Sequence, residues 1–322
     1  MSKKILNLLV VVSMVLALGL LTGQPVAQAQ EPKPKVTLII YTAATVEFFI
    51  PVVNGAKEAA EMFGVDLDIQ YGDSDPVKQN NLIETAIANK VDGIAVSIPD
   101  DDAFDETICK AMKEGIAVVA FNVDDSKGAA GNCRMAFMGQ NFVETGYLIA
   151  KRMIQDHGLK QGDHVFTPVE APEAVYARLR YEGVKKALDE IGATSEMVGT
   201  GFNLADAQTK EVQYLLGHPE TKAIIGLGSV PLTVAPKAIE EAKMNIPLGG
   251  FDLTMEIIDG IKQGTITATV DQQPYSQGFY AVAQLALYFK YGLYPSDMDT
   301  GGLGLVDKTN VDKVVQFVGK YR

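Results

Sequence analysis

Positive charge, histidine and cysteine are all in short supply in this sequence. Against 40 Asp+Glu there are 28 Lys+Arg, a formal net charge of −12. Phosphate backbones are bound by clustered positive charge, so an acidic chain of this kind excludes nucleic acid as a partner. The three histidines, His157, His164 and His218, each stand in or beside a polar helix end or turn, and none is in ligand spacing with a cysteine. Such a set predicts surface residues and no metal site. The two cysteines, Cys109 and Cys133, are 24 positions apart. They leave two readings open: a disulfide formed in an oxidising compartment, or two separately buried thiols.

Catalytic signatures are missing as well. There is no Gly-x-Ser-x-Gly elbow, no His-Glu-x-x-His, no phosphate-binding Gly-x-x-x-x-Gly-Lys-Ser/Thr loop and no dinucleotide glycine fingerprint after the first strand. No paired carboxylates stand out except "PDDD" (99–102), where acids ahead of a helix cap free amides and oppose its dipole. An enzyme is not expected, nor a cofactor. Long apolar runs are confined to the first 30 residues. There "MSKK" is a positive leader, "ILNLLVVVSMVLALGLL" an apolar core, and "PVAQAQ" a small-x-small cleavage pattern around Ala27 and Ala29. This is the pattern of a cleavable signal peptide, residues 1–30, too short and wrongly flanked for a membrane span. Gln24 stands where a lipoprotein signal needs Cys, so a soluble exported protein is expected, without a lipid anchor. Loss of Lys3 and Lys4 with the leader makes the exported chain more acidic still.

What is present is a soluble composition, 47% apolar and 21% charged, on 322 residues, enough for two domains. Beyond the Pro/Lys stub "EPKPK" (31–35), short apolar runs alternate with amphipathic stretches. "VTLIIYT" (36–42), "VDLDIQY" (65–71), "VDGIAVSI" (91–98) and "IAVVAF" (116–121) read as strands, separated by helices near 48–63, 75–89 and 103–114. The rhythm then restarts. A helix over 142–157 precedes "HVFTPV" (164–169), "TSEMVGT" (194–200), "KAIIGLG" (222–228) and "IPLGGFD" (246–252), with helices near 173–191, 205–216 and up to 243 between them. Strand–helix alternation with β-branched, continuously apolar strands predicts parallel sheets covered on both faces by helices. Two such units in series predict two similar α/β lobes. The glycine-rich tail "DTGGLGLVDKTN" (299–310) suits a strand that crosses between them.

Ligands of open α/β sheets meet the chain at the carboxyl ends of strands. Those ends offer Glu47, Phe48 and Phe49 after the first strand, and Asn122 after "IAVVAF". Tyr176, Arg178 and Arg180 follow "HVFTPV", Phe202 and Asn203 follow "TSEMVGT", Asp252 closes "IPLGGFD" and Gln272 follows "TITATV". Flat rings together with planar amide, guanidinium and carboxylate groups suit a sugar or polyol. Two-atom side chains can bond neighbouring hydroxyls at once, and rings cover the C–H faces. Asp252 has a competing reading as the cap of the helix that begins near Thr254.

From about residue 36 to its end the chain resembles the periplasmic sugar-binding proteins of ABC transporters, in the ribose-binding-like cluster. "EFFIPVVNGAKEAAEMFGV" (47–65) is similar to the family's phenylalanine pair opening the first helix, and "ARLRYEG" (177–183) to its arginine-bearing helix start. "HPETKAIIG" (218–226), Gly250-Phe251-Asp252 and "GTITATVDQQPYSQG" (264–278) resemble further family segments in the family's order. The resemblance implies a type I periplasmic binding protein fold: two Rossmann-like lobes joined by a three-segment hinge. It implies crossings near 140, 273 and 300, an N-terminal lobe of 31–140 plus 273–300, and a C-terminal lobe of 141–272 plus 301–322. It further implies that Phe48 and Phe49 stack on a sugar, that Arg180 and Asp252 bond its hydroxyls, and that Gln272 sits at the hinge and touches it. A monomer that hands its ligand to the membrane permease of an ABC transporter follows. Three places depart from the family pattern: Val46-Glu47 for Asn-Pro, Asn122-Val123 for Asp-Arg, and Gly228-Ser229 for Asn-Asp. These departures leave another pentose, a deoxy or alkylated sugar, a polyol, a nucleoside or a furanosyl signal such as autoinducer-2 open beside ribose. A chemotaxis or sensor co-receptor would use the same fold.

Overall fold

The computed structural model describes residues 32–301 and 304–322. The expected signal peptide and its cleavage pattern lie outside the described residues. All the elements that follow belong to the unit Pro34–Arg322.

Two six-stranded sheets organise the chain. The first contains β1 (Lys35–Ile40), β2 (Asp66–Tyr71), β3 (Gly93–Val96), β4 (Ala117–Asn122), β5 (Ala136–Gly139) and β11 (Met298–Asp299), in the order β11-β5-β4-β3-β1-β2 and parallel throughout. The second contains β6 (His164–Val169), β7 (Thr194–Gly199), β8 (Thr221–Gly226), β9 (Leu248–Phe251), β10 (Ala268–Val270) and β12 (Leu305–Asp307), in the order β12-β10-β9-β8-β6-β7. Here the sequence expectation needs a correction. β12 runs antiparallel to β10, because the chain leaves β10 for the helix Pro274–Tyr291 and β11 of the other sheet and re-enters at the edge from that side. The tail likewise forms two short strands, one in each sheet.

Burial follows position in the sheet. β3 and β4, in the middle of the first sheet, are buried at every residue, as continuous apolar runs demand. β2 and β7, at the outer edges, have no buried residue and run from exposed and half-buried positions into three half-buried ones.

The helices are α1 (Phe49–Phe63), α2 (Pro76–Ala88), α3 (Asp105–Lys113), α4 (Ala129–Asn132), α5 (Phe142–His157), α6 (Val175–Asp189), α7 (Leu204–Gly217), α8 (Ser229–Glu241), α9 (Met255–Gln263) and α10 (Pro274–Tyr291). Their starts are set by local chemistry. Asp75 accepts from the Val77 and Lys78 amides ahead of α2, with Pro76 at the first helical position, and Asn141 accepts from Glu144 ahead of α5. One close helix crossing in each lobe depends on glycine. A Cβ on Gly278 of α10 would lie 1.9 Å from the Val52 carbonyl of α1, and one on Gly146 of α5 would lie 2.1 Å from the Arg180 carbonyl of α6. These crossings seat the helices that carry Phe49 and Arg180.

The chain passes between the sheets three times, at Gln140–Asn141, at Asp271–Gln273 and between Thr300 and Gly304. Gln277, fully buried on α10, ties this region together. Its Nε2 donates to the Gln272 carbonyl (3.1 Å) and to Thr300 Oγ1 (3.1 Å), and its Oε1 accepts from Asn122 Nδ2 (3.1 Å). A disulfide joins Cys109 of α3 to Cys133, just past α4. Among the described residues no helix is long and apolar enough to cross a membrane, and no group of three His, Cys, Asp or Glu is placed to hold a metal ion.

Candidate ligand-binding site

Asn122 and Asp252 occupy matching places in the two lobes, at the carboxyl ends of β4 and β9. Both adopt left-handed backbone conformations, with φ of 64° and 74°. Such a conformation costs about 1–3 kcal/mol for a residue with a Cβ, less for Asn and Asp, and it clusters where a side chain must be aimed. Here both residues line one cavity between the lobes.

That cavity is lined from both lobes. The first lobe supplies Tyr41 at the end of β1, Val46, Phe48 and Phe49 from the turn into α1, and Asn122. Phe49 is edge-on to Tyr41 and to Phe48, with ring centroids 5.7 and 5.0 Å apart. The second lobe supplies Phe142, Glu170, Tyr176, Arg180, Phe202, Gly228, Ser229 and Asp252, with Gln272 from the crossing segment.

Arg180 is buried under Phe251, its guanidinium carbon 4.1 Å from the ring centroid. Nη1 donates to the Leu227 carbonyl (2.7 Å) and Nη2 to Gln140 Oε1 (3.0 Å), while Nε is buried without a partner. A buried, unsatisfied donor on a cavity wall is a group prepared for a ligand. Asp252 Oδ1 accepts from Gln272 Nε2 (2.5 Å). Glu170 accepts from the Val230 amide at Oε1 (3.0 Å) and from the Tyr176 hydroxyl at Oε2 (3.2 Å). It fits only because residue 228 is glycine, where a Cβ would stand 2.1 Å from Glu170 Oε2. Burial pushes the carboxyls of both Glu170 and Asp252 above the ordinary carboxylate range. Their mutual repulsion adds to the rise at Glu170, and the Arg180 charge opposes it at both.

The structure therefore brings Phe48, Phe49, Asn122, Tyr176, Arg180, Phe202, Asp252 and Gln272 onto one cavity and leaves Glu47, Arg178 and Asn203 off it. Asn203 is exposed and spends its side chain capping α7, accepting from the Ala205 (3.0 Å) and Asp206 (3.1 Å) amides. Its neighbour Phe202 faces the cavity instead. Glu47 is exposed one residue beyond the wall, where Val46 takes the inner position, because the turn before α1 points successive side chains in different directions. The Thr254 hydroxyl, not Asp252, caps α9, accepting from the Ile257 amide (3.2 Å). Sequence reasoning missed Tyr41, Phe142 and Glu170. Glu170 immediately follows β6, so the strand-end rule could have found it.

The acid run 99–102 also behaves differently from its expected role. Asp100 Oδ1 does accept the Asp102 and Ala103 amides. Asp101 instead reaches across the cleft to Arg178 (2.5 Å), beside an interlobe hydrogen bond from the Val175 amide to the Pro99 carbonyl (2.9 Å). The histidines line neither the cavity nor the groove beside it; His157 pairs with Thr267, His164 with Thr194 and Tyr214, and His218 with Glu220.

The inner cavity, about 40 Å³, opens through a shared wall into a larger groove of about 540 Å³ between the same two lobes. Ligand pockets usually measure roughly 300–1,000 Å³.

Known proteins share this architecture. A carbohydrate transporter of Acidothermus cellulolyticus, solved in complex with myo-inositol, is 30% identical, with a TM-score of 0.82 over 89% of this chain and 99% of that one. A solute-binding protein of Burkholderia graminis, solved with D-arabinose, is 25% identical, with a TM-score of 0.77 over 87% of this chain and 98% of that one. The xylose/arabinose-binding protein of Sulfolobus acidocaldarius is 28% identical over 291 residues, which is 84% of this chain and 71% of that protein. The family model of the periplasmic binding protein domain matches residues 36–292, and the chain belongs to that family.

Proposed function

We propose that this protein captures a small carbohydrate, a monosaccharide or cyclic polyol, between its two lobes and delivers it to the membrane permease of an ABC transporter. The observation that carries this reading is the convergence of Arg180, Asp252, Gln272 and Asn122 on one cavity walled by Phe48, Phe49 and Tyr176. Carboxylate and amide oxygens accept from hydroxyls, the free Arg180 Nε donates to them, and the rings cover C–H faces. The sugars and polyol bound by the relatives point to the same chemical class.

The inner cavity is too small for a sugar ring as it stands, so binding requires the lobes to part about the segments 140–141, 271–273 and 300–304 and to close again. Ligand that touches both lobes shifts the population toward the closed form. In this reading residues 34–140 and 274–299 form one lobe, and residues 141–270 and 305–322 the other. The protein acts as a monomer in the periplasm after loss of its signal peptide. It catalyses no reaction and needs no cofactor, metal or nucleic acid.

A thermal-shift screen of the purified protein against pentoses, hexoses, inositols and nucleosides tests the reading. A ligand at 100 times its dissociation constant adds about 2.7 kcal/mol of stability. Stabilisation by a sugar or polyol, abolished by Asp252→Ala, is the expected result. Stabilisation by nucleosides alone would replace the substrate class.

A further inference from the structure

The cleft is not equally closed along its length. Where Pro99–Asp102 meets Val175–Arg178, the lobes are stitched by the Val175–Pro99 hydrogen bond and the Arg178–Asp101 ion pair, and the Ser126 amide donates to Asp101 as well (2.8 Å). Where the turn 43–51 faces the loops 229–233 and 252–256, no hydrogen bond joins them among the described residues. There the inner cavity runs into the groove of about 540 Å³. Six residues line both spaces: Val46, Phe48, Phe202, Ser229, Asp252 and Gln272.

The groove differs in character from the cavity. Its rim carries Ile50 from the first lobe and Leu204 and Met255 from the second, 46%, 52% and 48% exposed. Large apolar side chains this exposed, gathered around one concavity, mark a contact surface. Phe202, next to the Asn203 cap, lines both spaces, as Phe48 does from the first lobe.

We propose that the ligand is a glycoside. A sugar ring takes the place of the inner cavity once the lobes have parted and closed around it, and a second unit with a flat apolar face, an aryl group or another pyranose, extends past Phe48 and Phe202 to rest against Ile50 and Leu204. The proposal rests on the carbohydrate reading above and narrows it. A free monosaccharide would leave the groove and its apolar rim in water, whereas a substituent covers them.

Isothermal titration of the purified protein tests this. The probes are D-xylose, D-galactose and D-glucose, each as the free sugar, the phenyl β-glycoside and the β-1,4-linked disaccharide. For the sugar that binds, at least one of its two substituted forms is expected to bind about tenfold tighter, as burial of a modest apolar face provides. Leu204→Asp is expected to remove that gain while changing free-sugar affinity little; the exposed site makes misfolding a minor concern, and a melting curve checks it. Free sugars that bind while every substituted form binds no tighter would overturn the glycoside inference alone. Absence of binding by all probes would overturn the glycoside inference, while the carbohydrate reading stands or falls separately on the thermal-shift screen of pentoses, hexoses and inositols.

Discussion

The two lobes repeat one architecture but divide the site unequally. The first lobe presents Tyr41, Val46, Phe48, Phe49 and a single amide, Asn122. The second holds both carboxylates, Glu170 and Asp252, and the guanidinium of Arg180. Charged groups are thus confined to the second lobe, whereas rings line the cavity from both: Tyr41, Phe48 and Phe49 from the first, Phe142, Tyr176 and Phe202 from the second. The difference also shows in how each lobe is secured. The first has a covalent link, Cys109–Cys133, near its outer helices, while the second relies on a buried cation wedged under Phe251.

Substitutions can break this contrast to different depths. Arg180→Met is expected to act most strongly. It leaves two buried carboxyls without their counter-charge, along with the Leu227 carbonyl and Gln140 Oε1 without their donor. Removing one partner from a buried charge cluster costs about 3–5 kcal/mol, so both urea-unfolding stability and ligand affinity should fall. The double change Cys109→Ser, Cys133→Ser should cost about 3 kcal/mol through the reopened 24-residue loop. This second change should leave ligand affinity unchanged, since the bridge touches no cavity residue; a parallel loss of affinity would show that the lobes are not independent in this way.

Asp252→Asn is expected to weaken ligand binding by about 1.5–3 kcal/mol, the range for a hydrogen bond to a charged group. It should also flatten the pH dependence of affinity. Because burial holds Asp252 and Glu170 above the ordinary carboxylate range, both take up protons earlier on acidification than exposed acids do. Ligand affinity should therefore fall as pH drops through that raised window. Stability of the unliganded protein should move the opposite way. The folded state binds these protons more tightly than the unfolded state, so their contribution is fully present at low pH and is lost as pH rises through the folded values. Glu211, buried on α7 with both oxygens unpartnered and its carboxyl also pushed up by burial, adds to the same trend. Calorimetry and melting curves across pH 4–8, roughly the window where protein stability is usually greatest, separate the two effects.

Gly228→Ala should cost about 1–3 kcal/mol by overpacking against Glu170 and should shift ligand preference, read by competition among sugars. Asp101→Asn is the mildest. Its pair with Arg178 is partly exposed, with side-chain exposures of 24% and 42%, and such pairs contribute about 0–1 kcal/mol. Small-angle scattering of the unliganded protein should show a slightly larger open fraction, with affinity reduced less than by any of the cavity changes.

Most of the framework was legible because each element's signal is local. The run "HVFTPV" and the amphipathic stretch 142–157 coincide with β6 and α5 to the residue. α10 was not read, because "PYSQGFYAVAQLALYFKY" is apolar around much of its circumference and hides its period. β5, "AFMG", is too short to carry a pattern. In the site, the rule that strand ends face ligands reached eight cavity residues. It could not choose between neighbours such as Phe202 and Asn203, where a capping bond decides the orientation. Tyr41 and Phe142 read as core because a cavity wall and a core ask for the same ring. Asp101 was hidden for a different reason: its partner is 77 positions away, on the other lobe.

Gln277 couples the interlobe connections mechanically. One amide on α10 grips the second and third interlobe connections and the end of β4 together. Those strands cannot flex one at a time without straining the same side chain. The joint should therefore swing as a single pivot along one arc, and traffic between the spread and shut forms should be free of long-lived halfway postures.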